Sequence, residues 1–316
     1  MIRLLLVSLI WAFSFGIVKH GLAGVDASFL SFARLLLAFI VFVPILKWKT
    51  PQGSPHTIRS RRVIGMRASP SPLAGEGTGE GVLFVLRLMF LGAVQYGLMY
   101  LAYLHSFHYL KAYQVAFFTI FTPLWVTLFN DALDRRFRPL FLASAGLAVM
   151  GTAVIVHREG ALAQITTGFW LVQASNLCFA VGQVLYKRGL GVTEGKDRDQ
   201  FGWLYLGAAL VTLPPAGVAL GWAWPALTGL QASSLLYLGL VASGLGFFLW
   251  NTGAKSVNAG TLAVMNNLKV PLGVLVSVLV FREAADLMRL SIGLAIVVGA
   301  LVLNERLSGK APLNRK

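Results

Sequence analysis

An all-α integral membrane protein, with about ten transmembrane helices arranged as two inverted five-helix repeats, is the fold that three features of this chain predict. Apolar residues make up 57% of its 316 positions and charged residues 12%, with a mean hydropathy of +0.72. A soluble domain of this length carries more charge. Apolar runs long enough to cross a bilayer, about 20 residues each, recur along the whole chain. The two halves of the chain also resemble each other in order.

The spans are expected at Leu4–Val18, Ala27–Leu46, Val82–Leu104, Ala112–Phe129, Leu140–Val156, Gly168–Tyr186, Trp203–Trp222, Leu235–Thr252, Thr261–Phe281 and Leu287–Leu303. The first and fifth are short enough to run on into their polar flanks. The N-terminal stretch MIRLLLVSLIWAFSF lacks a small-x-small cleavage site and is read as an uncleaved first span.

Orientation follows from the basic residues in the loops. With the N-terminus inside, 20 of the 27 lysines and arginines fall on the cytoplasmic side and five outside, leaving Arg34 and Lys269 within spans. Both termini are therefore expected in the cytoplasm, in the inner (plasma) membrane. The formal charge of +15 is spread over loops, which is a signature of topology, so no nucleic acid partner is expected.

WAFSFGIVKHGL (from Trp11) aligns with FAVGQVLYKRGL (from Phe179) 168 positions later, and FFTIFTPLW (from Phe117) with MNNLKVPLG (from Met265) 148 later, which superposes Pro123 on Pro271. A five-span unit is odd in number, so its second copy enters from the opposite side. Such inverted repeats underlie many secondary transporters, with the site near the midplane where the copies meet. The expected division is 1–157 for the first repeat, 158–306 for the second and 307–316 for a cytoplasmic tail. Residues 47–81, rich in Gly, Pro and Ser without periodicity, are expected to form a disordered cytoplasmic insert.

Within the ninth span, Asn266, Lys269 and Gly273 share one helix face. A cation at membrane depth is costly unless it faces protein or water. It can snorkel or bond a neighbour's carbonyl; mid-span depth favours a polar site inside the bundle. All twelve acidic residues fall in loops or at span ends, so no carboxylate relay is available. Lys269 is then expected to pair with a carboxylate or other electron-rich group of the solute, or to take up a proton during transport, which makes protons a candidate coupling ion. A guanidinium stays charged, so Arg34 reads as a hydrogen-bonding brace or an inward guide for anions.

Polar and aromatic stripes at helical spacing add candidates: Trp11 and Ser14; Gln95, Tyr96 and Tyr100; Gln114; Asn176; Ser243 and Trp250; and Asn267 beside Asn266. Aromatic walls with few polar groups suit a small amphipathic organic solute. Tyr103 is read as an interfacial belt residue. Pro123 and Pro271 each free a carbonyl one turn back and offer a kink or gate at the midplane.

Enzyme signals are weak. One cysteine, Cys178, excludes a disulfide framework or a cysteine metal cluster, and no metal or cofactor site is expected. No nucleotide-binding glycine loop is present, and Ser243-Gly244 lacks the nucleophile context of a hydrolase.

WAFSFGIVKHGL, FLSFARLLLAFIVFVP around Arg34, TPLW and VFREA around Glu283 resemble the running pattern of EamA-like permeases of the drug/metabolite transporter superfamily. The likeness covers nearly the whole chain outside 47–81. It implies a cavity between the halves that includes the third, fourth, eighth and ninth spans. It also implies an acid after the fourth span, where NDALDRRF offers Asp134.

The expectation is a secondary transporter of small organic solutes such as amino acids, amines or carboxylates, working by alternating access. Export is expected by family habit. A hydrophobic-drug exporter, an intramembrane enzyme and a non-transporting sensor are the alternatives.

Overall fold

The computed structural model describes residues 2–46, 77–135, 162–189, 197–257 and 259–284, with isolated positions near 288–299. Among these residues the chain is helical, without strands. Seven helices are long and apolar enough to cross a membrane. They are α1 (Ile2–Gly21), α2 (Ala27–Ile45), α3 (Gly81–Ser106), α4 (Ala112–Asp134), α5 (Ile165–Lys187), α6 (Asp197–Leu220) and α7 (Gly229–Lys255). An eighth helix, α8 (Ala259–Leu279), contains the shorter apolar run Met265–Leu279.

Each coincides with an expected span. The expected fifth span (Leu140–Val156) lies outside the described residues and the tenth (Leu287–Leu303) almost entirely so, which makes α5 the sixth expected span. The helix leading into α3 starts at Gly77, so the end of the expected 47–81 insert is helical, and 47–76 lie outside the described residues.

Polar residues cap or flank the starts of three helices. Asp26 accepts from the Ser28 and Phe29 amides at the start of α2. Thr228 and Gln231 close a reciprocal capping box at the start of α7. Asp197 and Asp199 occupy the first turn of α6, where the helix dipole favours negative charge.

The bundle is apolar outside and polar within. Leu9, Phe90, Trp170, Leu210 and Leu275 are exposed, while Ser8, Arg34, Gln95, Gln173, Asn176, Asn251, Asn266 and Lys269 are buried. That inversion is what a hydrocarbon solvent imposes. α1 packs on α8, α7 and α4, α2 on α6 and α7, and α3 on α5 and α6. The α3–α6 crossing brings backbones together. A Cβ on Gly92 would lie 1.8 Å from the Leu204 carbonyl oxygen, and one on Gly207 would lie 2.0 Å from that of Met89. Small residues at such crossings are how membrane helices gain close contact.

Three spans contain wide, π-type turns: Ile17–Gly21 in α1, Ala93–Leu98 in α3 and Tyr237–Leu245 in α7. Such turns leave carbonyls out of the regular ladder. In α7 they are taken by other helices: Trp11 Nε1 donates to Ala242 O at 2.9 Å, and the Tyr205 hydroxyl to Ser243 O and Gly244 O at 2.7 and 2.9 Å.

Gly92→Leu or Gly207→Leu forces α3 and α6 apart. The expected cost is about 1–3 kcal/mol, read as a lower thermal unfolding midpoint of the purified protein. Gly229→Leu, whose Cβ meets open space, leaves that midpoint unchanged.

Candidate functional site

A partly open cavity sits in the middle of the bundle, with about 540 Å³ of free space counted to include its mouth. Seven helices contribute to its wall: Trp11, Ser14 and Phe15 from α1, Arg34 from α2, Met99, Tyr100 and Tyr103 from α3, Thr119 and Thr122 from α4, Ser175, Asn176 and Phe179 from α5. Phe247 from α7 and Lys269 from α8 complete it.

Lys269 is the polar centre of one side. Its Nζ donates to Asn266 Oδ1 at 3.0 Å, one turn earlier on the same helix. It also lies 5.3 Å from the centre of the Trp11 ring and 5.7 Å from that of Phe179, within cation–π range. Trp11 is fixed by its bond to Ala242 O and by Trp250, 5.1 Å away centre to centre. The ammonium thus rests on aromatic faces and one amide oxygen. No carboxylate lines the cavity among the described residues.

Arg34 joins three spans. Its Nη2 donates to the Tyr100 hydroxyl at 2.8 Å and its Nε to Ser243 Oγ at 3.3 Å, while Tyr100 and Ser243 share a bond of 2.9 Å. Its Nη1 is buried without a partner among the described residues.

Pro123 builds a third wall. Just before it α4 tightens to a 3₁₀ turn over Thr119–Phe121. Proline supplies no amide to the Thr119 carbonyl, and Thr122 Oγ1 donates to it at 2.7 Å. The Phe118 carbonyl accepts from Asn176 Nδ2 at 3.0 Å and Gln173 Nε2 at 3.3 Å. Thr122 Oγ1 also donates to Asn176 Oδ1 at 3.1 Å. A polar strip of Thr119, Thr122, Ser175 and Asn176 results. Pro271 lies inside α8, two residues beyond Lys269.

Of the residues singled out in the sequence, Trp11, Ser14, Arg34, Tyr100, Asn176 and Lys269 line the cavity, and Asn266 and Ser243 stand directly behind it. Trp250 is fully buried behind Trp11. Gln95 and Tyr96 turn to Asn251, which accepts from Gln95 Nε2 at 3.2 Å and donates to the Tyr96 hydroxyl, in a separate buried network. Gln114 caps the start of α4, its Oε1 accepting from the Lys111 amide at 2.8 Å. Asn267 is half-buried with its Oδ1 unpartnered among the described residues.

Tyr103, read from sequence as a belt residue, instead lines the cavity, because Phe15 and Phe107 pack against its ring. Thr119, Thr122 and Ser175 had no sequence signal beyond their nearness to Pro123 and Asn176, and Phe179 entered only as the position that aligns with Trp11 in the second half.

Helices with lipid-facing exteriors around a cation-bearing central cavity define a multi-pass membrane carrier of small solutes. The family model of the EamA-like transporter family matches residues 1–157 and 166–305, and the chain belongs to that family. It is 40% identical over 306 residues to a probable biotin transporter of Pseudomonas aeruginosa, covering 96% of both chains. It is 34% identical to biotin transporters of Salmonella typhimurium, over 320 residues, and Escherichia coli K12, over 313; in both cases 97% of this chain and 93% of the relative align. A solved crystal structure shares the fold at a TM-score of 0.61 and 16% identity, across 97% of this chain and 98% of that one.

Tyr100→Phe leaves Arg34 Nη2 without its acceptor. The expected loss is about 1–3 kcal/mol of stability, the usual cost of orphaning a buried donor. It is measurable as earlier thermal unfolding, and a smaller loss is expected for Ser243→Ala.

Proposed function

We propose that this chain is a secondary transporter, in the inner membrane, whose solute is biotin or a close relative with the same two chemical ends. Biotin is a carboxylic acid with a ureido ring, so it falls in the carboxylate class that Lys269 suggested. The single observation that carries the reading is the Lys269 ammonium: a buried cation at the cavity wall, held by an amide oxygen and two aromatic rings, with no acid beside it among the described residues. An arriving carboxylate completes that site with a charge-assisted hydrogen bond.

The rest of the wall fits the rest of the molecule. Aromatic faces of Trp11, Phe179 and Phe247 suit the apolar chain and thioether ring. The amide and hydroxyls of Asn176, Thr119 and Thr122 suit a ureido group, which both donates and accepts. Two cations in one cavity disfavour a cationic drug, which sets the hydrophobic-drug reading second. A cycle in which two half-repeats rock around the cavity runs either way. Direction then follows the gradients of solute and coupling ion, protons being the candidate that Lys269 chemistry offers.

The test is counterflow of labelled biotin in sealed proteoliposomes. The wild type is expected to exchange it, and Lys269→Met to reduce exchange about 10- to 100-fold, the equivalent of one charge-assisted bond of about 1.5–3 kcal/mol. Biotin methyl ester is expected to compete poorly in the wild type. Equal competition by the ester, or full exchange by Lys269→Met, overturns the assignment.

A further inference from the structure

Two sets of contacts at opposite ends of the bundle follow one plan. At the end of α1, Lys19 Nζ donates to Phe107 O and Leu110 O at 2.6 and 3.0 Å, closing the turn between α3 and α4. The next residue, His20, places Nε2 3.1 Å from Glu283 Oε1, just beyond α8. The Glu283 side chain is only 6% exposed and also accepts from the Ala112 and Tyr113 amides at 3.1 Å each, at the start of α4.

At the end of α5, Lys187 Nζ donates to Val257 O at 3.5 Å, in the turn between α7 and α8. The next residue, Arg188, donates through Nη2 to Asp134 Oδ1 at 2.8 Å and to Asn130 Oδ1 at 2.6 Å, at the end of α4. One set thus touches the first turn of α4 and the other its last. Over 23 residues that is roughly 34 Å, the thickness of a membrane.

The sequence places the two sets in register. Lys19-His20-Gly21 and Lys187-Arg188-Gly189 are 168 positions apart, the offset of the first spans of the two halves. Asp134 and Glu283 are 149 apart, one more than the offset of Pro123 and Pro271. In each half the lysine ending the first span ties a turn of its own half. The side chain after it, His20 or Arg188, reaches across to the acid that closes the fourth span of the other half. Each contact ties one half to the other at one end of the bundle, which is where an opening of that face would have to break it. The Lys255–Asp197 pair differs in kind, since it joins α7 to α6 within one half.

We propose that His20–Glu283 and Arg188–Asp134 are opposing latches, each fastening the two halves together at one end of the bundle and each released when that end opens. Both are made in this structure, with the cavity between them. The proposal rests on the rocking cycle above but not on the identity of the solute.

Site-directed labelling tests it. Replacing the single cysteine (Cys178→Ala) and introducing Met99→Cys puts a thiol on the cavity wall, to be labelled by a membrane-impermeant maleimide applied from either side of the membrane. Glu283→Gln is expected to raise labelling several-fold from one side and lower it from the other, and Asp134→Asn to do the reverse. Exchanging the charges, Asp134→Arg with Arg188→Asp, is expected to bring labelling back towards wild type. Should Glu283→Gln fail to accumulate, His20→Ala breaks the same pair while leaving Glu283 on its two amides. Both variants favouring the same side, or neither altering labelling in folded protein, overturns the proposal. Opposed labelling in a protein that does not exchange biotin would sink the solute assignment and leave the latches standing.

Discussion

Every polar atom that this chain carries into the bilayer has to find its partner inside the protein, and that constraint organises the whole bundle. Hydrocarbon offers no hydrogen bonds, so serine, asparagine, glutamine and the two in-span cations collect on inward faces. Arg34 meets it through Nε and Nη2, which join Ser243 and Tyr100 and fasten α2 to α3 and α7, while its Nη1 has no partner among the described residues. Lys269 meets it only in part, through Asn266 and two aromatic rings. Arg34 is tied to two other helices, whereas the hydrogen bond of Lys269 stays on its own helix.

The same constraint explains why breaks in the helices coincide with the cavity. The proline in α4 and the wide turn in α7 release carbonyls that a regular helix would consume. Thr122 on the same helix takes the Thr119 oxygen, and other helices supply the remaining donors: Asn176 and Gln173 for Phe118, Trp11 for Ala242, Tyr205 for Ser243 and Gly244. Irregular backbone at membrane depth therefore costs little here, and it places acceptors and hydroxyls where a solute can meet them.

How much of this was legible in the sequence depended on the kind of signal. Apolar runs located all eight described helices to within a few residues, because burial in lipid is written in composition; their ends ran on where Asp197 or Thr228 could cap them. Lys269 and Arg34 stood out because a charge in an apolar run is costly, and at mid-span depth a polar interior was favoured over snorkelling for Lys269. Tyr103 and Thr122 did not, since a tyrosine near a span end and a threonine before a proline read equally well as belt and cap. Gln114 shared a helical face with aromatic residues, yet a free amide at a helix start was the stronger demand on its side chain. The pairing of His20 with Glu283 spans 263 positions, and no local pattern in the sequence pointed to it.

The wide turn at Ala93–Leu98 has a consequence for how such a cavity changes over time. A π-type turn is an α-helical turn with one residue added, and each residue advances a helix by about 100°. Removing one position from that turn would leave span length, hydropathy and charge almost as they are, yet swing Tyr100 and Tyr103 off the cavity wall and strip Arg34 of its hydroxyl. Two chains alike in composition would then differ in whether they hold a pocket at all, so a lineage can lose or remake its specificity here by a single codon.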